Sequence, residues 1–118
     1  MGLLGAGNAD AIALEVPGVR SRLVAMLQAA FAQGAAGVVA DITATCQRPW
    51  PFTPAQVTTK TLLLYGAQDP LAGPRHARWW QPRLPDARFE QIPDAGHLLI
   101  TQTWRRALSH LAPNTKRR

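Results

Sequence analysis

Between Arg48 and Pro54 the chain reads R-P-W-P-F-T-P, with prolines at 49, 51 and 54. Each proline lacks a backbone N–H and pushes the residue before it out of the helical region. Neither a helix nor an interior strand can run through such a segment. A chain of 118 residues interrupted in this way must be assembled from two differently patterned pieces. We read residues 1–47 as a helical, lid-like piece and 48–60 as a proline-rich linker. Residues 61–112 form an alternating strand and helix unit, and 113–118 a basic tail.

In the first piece, Arg20 to Gln33 carries a helical period. Leu23, Leu27, Ala30 and Phe31 share one face, with Val24 and Met26 flanking it. Gly34 is a suitable stop, because glycine accepts the left-handed conformation that follows many helices. Ala35 to Thr45 reads as a second helix, weakened by Gly37. Met1 to Asp10 is rich in glycine and alanine and shows no period. Its Gly5-Ala6-Gly7 resembles the opening of a dinucleotide fingerprint, but the third glycine and a preceding strand are missing.

After the prolines the period changes. Thr61 to Tyr65 is a short apolar run closed by Gly66, which suits a strand buried on both faces. Pro74 is placed to open a helix reaching about Arg83, with Pro82 kinking or ending it. Ala87 to Ile92 reads as a second strand and Pro93 to Gly96 as a turn. A last helix spans about Gln102 to Leu111, with Trp104, Leu108 and Leu111 on one face. The fold class is therefore α/β: N-terminal helices, then strand, helix, strand, helix with a parallel strand pair.

A strand–helix–strand crossover places two parallel strands with their C-terminal ends at one edge of the sheet. Adjacent strands lie about 4.8 Å apart, and ligands of open α/β sheets gather at that edge. Asp69 follows the first strand and His97 the second, so residues far apart in sequence can meet there. A carboxylate beside an imidazole accepts its N–H, fixes the tautomer and stabilises the imidazolium formed when the base takes a proton. Such a spacing also arises by chance in strand–helix–strand units. Asp94 is near His97 too, but it shares the same turn. Asp69 is the favoured partner because it approaches from the neighbouring strand.

T-L-L-L-Y-G-A-Q-D-P-L (Thr61 to Leu71) and R-L-P-D-A-R-F-E-Q-I-P-D-A-G-H (Arg83 to His97) together resemble the acid and histidine motifs of the α/β-hydrolases. The likeness extends over about Gly34 to Leu111 and implies a partial α/β-hydrolase fold. It makes Asp69 the triad acid and His97 the triad base. The substrates it implies are a small-molecule ester, lactone or diketone-like compound, with no cofactor. The family's nucleophile stands in G-x-S-x-G ahead of the acid. Here the only serines are Ser21 and Ser109, and neither has the flanking glycines. Cys46, in T-A-T-C-Q-R-P, lacks them as well and reads as a small, partly buried residue. Lys60 departs from the family pattern before the acid strand, and Pro82 departs within the helix. The expectation is a C-terminal hydrolase portion that supplies acid and base and is inactive until completed by an N-terminal half. The alternative is a non-catalytic interaction module or gene remnant.

Trp50 and Phe52, held between prolines, are candidates for a substrate-pocket wall or for anchors of their loop. Trp79 and Trp80 are adjacent on a helix, so one should pack and the other be partly exposed. His76 and His110 read as helix-surface residues. With three histidines and one cysteine, the sequence offers no metal-ligand spacing. The net charge of +6 invites a nucleic-acid reading. The basic residues are scattered, however, apart from Lys116-Arg117-Arg118, and no nucleic-acid partner is expected. A single cysteine and the lack of a basic, apolar leader point to the cytoplasm. No apolar run reaches the ~20 residues of a membrane span. Two strands and amphipathic helices would leave an apolar face open to self-association.

Overall fold

The computed structural model describes residues 8–113. The Gly5–Gly7 segment and the Lys116–Arg118 run of the tail lie outside the described residues. The elements are α1 (Asn8–Glu15), α2 (Val19–Ala30) and α3 (Ala36–Ile42), then β1 (Thr61–Gly66), α4 (Pro74–Trp80), β2 (Ala87–Ile92) and α5 (Ile100–Leu111). One π-helical turn, Thr43–Gln47, extends α3 up to the prolines. Arg48 is already extended, as the residue before a proline must be.

β1 and β2 pair in parallel, in the register Thr61 with Ala87 through Gly66 with Ile92. The crossover between them holds α4. Pro74 opens that helix, as expected. The helix stops at Trp80, and Gln81–Arg83, containing Pro82, continues as a tight 3-10 turn. Proline can neither donate the next helical hydrogen bond nor clear the carbonyl behind it.

Three expectations are corrected. α1 was not anticipated: Asn8–Glu15 is helical, and it buries Ala9, Asp10 and Ala13. Alanine is both the best helix former and a small apolar contact, so the apolar side chains that this helix buries are too small to announce it, while its Ile12 is exposed. β1 was expected to be buried on both faces. Its residues Thr61 to Tyr65 are half-buried instead, because two strands and a few short helices cannot cover both faces. α5 begins at Ile100, two residues earlier than expected, and its Trp104, Leu108 and Leu111 face is exposed. The residue that α5 buries is Thr103.

The buried apolar residues are Ala9, Ala13, Val19, Ala77, Ala95 and Leu98. Most of α2's expected apolar face remains open too: Leu27, Ala30 and Phe31 are exposed and only Leu23 is half-buried. The Cα radius of gyration, 16.3 Å, exceeds the roughly 13 Å of a compact domain near this length. Polar contacts compensate in part for the thin core. Arg106 of α5 grips the Glu90 carboxylate of β2 through two nitrogens, and Arg88 flanks the same carboxylate at 2.8 Å. Nε2 of His110 donates to the Lys60 carbonyl at 3.2 Å. The proline segment is held by aromatic rings. Phe52 stacks on Trp50 at 5.6 Å, Trp50 on Trp80 at 5.2 Å, and Trp80 meets Trp79 edge-on at 4.8 Å. The Arg83 guanidinium caps the Trp79 face at 4.2 Å.

Gly34 takes φ +86°, as the helix-stop reading requires. At Gly66 the constraint is close approach: a Cβ there would fall on the backbone carbonyls of Ala95 and Gly96. Gly66→Ala should therefore destabilise the chain by about 2 kcal/mol or more. Gly37→Ala, in α3 with nothing within 4 Å of the new methyl, should stabilise it by about 0.5–1 kcal/mol. Urea midpoints of the two variants test this pair, and equal shifts would contradict the packing described at Gly66.

Candidate active site

The site begins where the strands stop. β1 ends at Gly66 and β2 at Ile92, side by side in register, and the loops beyond them are joined by backbone hydrogen bonds. Ala67 N–H donates to Ile92 O at 2.9 Å, and Gln68 N–H donates to Ala95 O at 3.0 Å. The Gln68 side chain adds a longer bond to Pro93 O. Gly66, having no side chain, lets the histidine loop lie directly on the end of β1. The carboxylate loop and the histidine loop thus form one layer.

Asp69 is buried in that layer, its side chain 2% exposed. Its Oδ1 accepts the N–H groups of Leu71 and Ala72, at 2.8 and 2.9 Å. This Asx-type turn fixes the carboxylate plane. Oδ2 faces Nδ1 of His97 at 2.9 Å. The carboxylate accepts from Nδ1–H, which leaves Nε2 of the neutral ring with its lone pair. The His97 side chain is 39% exposed, and among the described residues nothing hydrogen-bonds to Nε2.

Burial acts to raise the Asp69 carboxyl pKa. The hydrogen bonds from Ala72, His97 and Leu71, with the imidazolium charge, outweigh it and hold the carboxyl below its ordinary value. The neighbouring Tyr65 phenol is pushed up, first by burial and then by the negative charge of Asp69. The pair is thus arranged to keep a carboxylate ionised beside an imidazole. Such an arrangement can accept a proton at Nε2 and stabilise the resulting cation.

Asp10 belongs to this site, and sequence reasoning missed it. It is 3% exposed, and its Oδ1 accepts the Leu98 N–H at 2.8 Å across 88 positions. The same carboxylate lies against Gly96. α1 is thereby fastened to the two residues that flank His97. Oδ2 of Asp10 is buried without a hydrogen-bond partner among the described residues. The only sequence signal was Asp10 itself, the one charged residue before Glu15.

The remaining candidates lie elsewhere. Trp50 and Phe52 belong to the aromatic stack on α4, where Trp50 also donates from Nε1 to Thr45 O at 3.1 Å. The Ser21 hydroxyl donates to Gly18 O and that of Ser109 to Arg106 O. Cys46, expected to be partly buried, is exposed on the last helical turn before the prolines, and it touches Thr45 Oγ1. None of these three groups bonds to His97. Nδ1 of His76 meets Gly73 O at 3.2 Å. Among the described residues no group of three or more His, Cys, Asp or Glu could hold a metal ion. No helix among them is long and apolar enough to cross a membrane. Compared with profiles of known protein families, with curated proteins and with solved structures, the chain matches none.

Two predictions follow from these contacts. Because the Asp69 pKa is depressed in the folded chain, its stabilisation is present above the unfolded carboxylate value of about 4 and is lost as pH falls through the folded value. The stability gap between wild type and Asp69→Asn should therefore be full at neutral pH and close under acid conditions. A gap that stays constant into strong acid would refute the assignment. Asp10→Ala should cost about 1–3 kcal/mol by orphaning the Leu98 N–H. It should also speed hydrogen exchange at Leu98, which an amide-resolved exchange experiment reads directly.

Proposed function

We propose that Asp69 and His97 are the acid and base of an α/β-hydrolase-type catalytic triad whose nucleophile is contributed from outside the described residues. One observation carries the reading. Asp69 Oδ2 and His97 Nδ1 are 2.9 Å apart, beyond the C-terminal ends of two parallel strands, with Nε2 turned to no protein partner among the described residues. The acid motif from Thr61 to Leu71 and the histidine motif from Arg83 to His97 support it by their likeness to that family.

In this reading Nε2 of His97 removes the proton of an attacking hydroxyl or thiol as it adds to a carbonyl carbon. The same proton is then given to the leaving group. Asp69 remains ionised throughout, holding Nδ1–H and stabilising the imidazolium. General-base action of this kind contributes roughly 10²–10⁴-fold. The substrate class is an ester, a lactone or a C–C bond next to a carbonyl. The second reading is an interaction module, and a specific observation favours it. Val39 and Ile42 on α3 are exposed, as is Leu111 on α5, and exposed apolar side chains of this kind suit self-association or a completing segment.

The chain by itself should not turn over p-nitrophenyl butyrate, since no acyl intermediate can form without a nucleophile. Fused behind a strand-and-elbow half carrying G-x-S-x-G, it should restore turnover. His97→Ala in that fusion should then remove at least ~10²-fold. A folded fusion equally inactive with and without His97 would exclude the triad reading. Turnover by the unfused chain that His97→Ala abolishes would exclude the external nucleophile.

A further inference from the structure

We propose that the groove between α2 and α5 binds a linear amphipathic carboxylate, with its alkyl chain along the groove and its carboxylate on Arg22. The site is independent of the hydrolase reading. The groove encloses about 580 Å³, within the roughly 300–1,000 Å³ of small-molecule sites. Val19, Leu23 and Met26 form one wall, and Leu98, Ile100 and Trp104 the other. Several of these walls are open to solvent: Met26, Ile100 and Trp104 are all exposed.

The shape favours a chain over a disc. Val19, Leu23 and Met26 follow one another along α2, and the seven residue steps from first to last extend about 10 Å. The chemistry of the end is set by Arg22, the single charged residue of the lining. Its guanidinium lies over Gly18 at the start of α2. Among the described residues it makes no ion pair and no side-chain hydrogen bond. Every other lining residue is uncharged, so nothing in the groove competes for it. A planar fork of donors matches a carboxylate, and it repels a cationic head. An apolar body with one anionic end therefore fits the site on both counts.

The experiment is calorimetric titration of the whole chain with octanoate, decanoate and dodecanoate, each below its micelle concentration. Affinity should rise roughly tenfold from octanoate to decanoate and by less from decanoate to dodecanoate, whose extended chain outruns the groove. Arg22→Gln should weaken dodecanoate about tenfold while leaving dodecanol unchanged. Arg22→Lys should retain most of the affinity. Met26→Gln, an exposed groove position, should weaken acid and alcohol together. His97→Ala should bind as wild type does, which separates this site from the triad. Dodecyltrimethylammonium competing as well as dodecanoate would overturn the proposal. So would an Arg22→Gln variant that is folded by circular dichroism and binds dodecanoate unchanged. A dimer in light scattering that Met26→Gln dissociates and dodecanoate does not would assign the groove to a second copy of the chain instead.

Discussion

The parallel contact between β1 and β2, extended past their ends by the close approach at Gly66, is the constraint on which the rest of the molecule depends. The ladder alone would bring two loops to the same edge. It is the absence of a side chain at Gly66 that allows the Ala95 and Gly96 carbonyls to settle onto the strand end. The bond from Gln68 N–H to Ala95 O then locks the loops together. Asp69 stands one residue beyond Gln68, and His97 two beyond Ala95. Their pairing follows from a backbone junction rather than from mutual attraction of the side chains. Here the Asp69 carboxylate is oriented independently by two backbone donors.

Around this junction the packing is sparse. A core built mainly of alanines buries little area per residue, and each exposed leucine or tryptophan forgoes part of the roughly 1.5–3 kcal/mol that complete burial supplies. The helices are held instead by specific polar and aromatic contacts: Arg106 on Glu90, His110 on the Lys60 carbonyl, Asp10 on the Leu98 N–H and the Trp50–Trp80 stack. Such contacts define orientation well but add modest net stability. The outcome is a precise strand-end site carried on a scaffold with much of its apolar surface available to ligands or partners. The α2–α5 groove is one part of that surface.

Asp10 shows how a residue that is invisible in the sequence can join the site. Its carboxylate is buried with one oxygen bonded to Leu98 N–H and the other unpartnered among the described residues. A buried carboxylate is costly unless its oxygens are satisfied. The position must therefore be held by the fit of Ala9 and Ala13 as much as by the bond itself. Through it the helical piece before the prolines is coupled to the loop that carries His97, although the proline segment separates the two pieces in sequence.

The sequence by itself determined the kinds of elements and their limits. Prolines at 49, 51 and 54 divided the helical piece from the α/β piece. Pro74 and Pro82 bracketed α4, Gly34 followed α2, and the runs at Thr61 and Ala87 became strands. These are local effects of missing donors, restricted dihedrals and periodicity, so a few neighbouring residues suffice to express them. The placement of Asp69 and His97 after parallel strands was legible for the same reason. Only the tertiary structure decided that Oδ2 of Asp69 meets Nδ1 of His97, that Asp10 reaches Leu98, and which faces of α2 and α5 stay open. It also decided that Trp50 stacks on Trp80 of α4 and Phe52 on Trp50. Each of these depends on contacts between distant segments. In a chain with so few large buried side chains, hydrophobic patterning alone does not specify which surfaces meet.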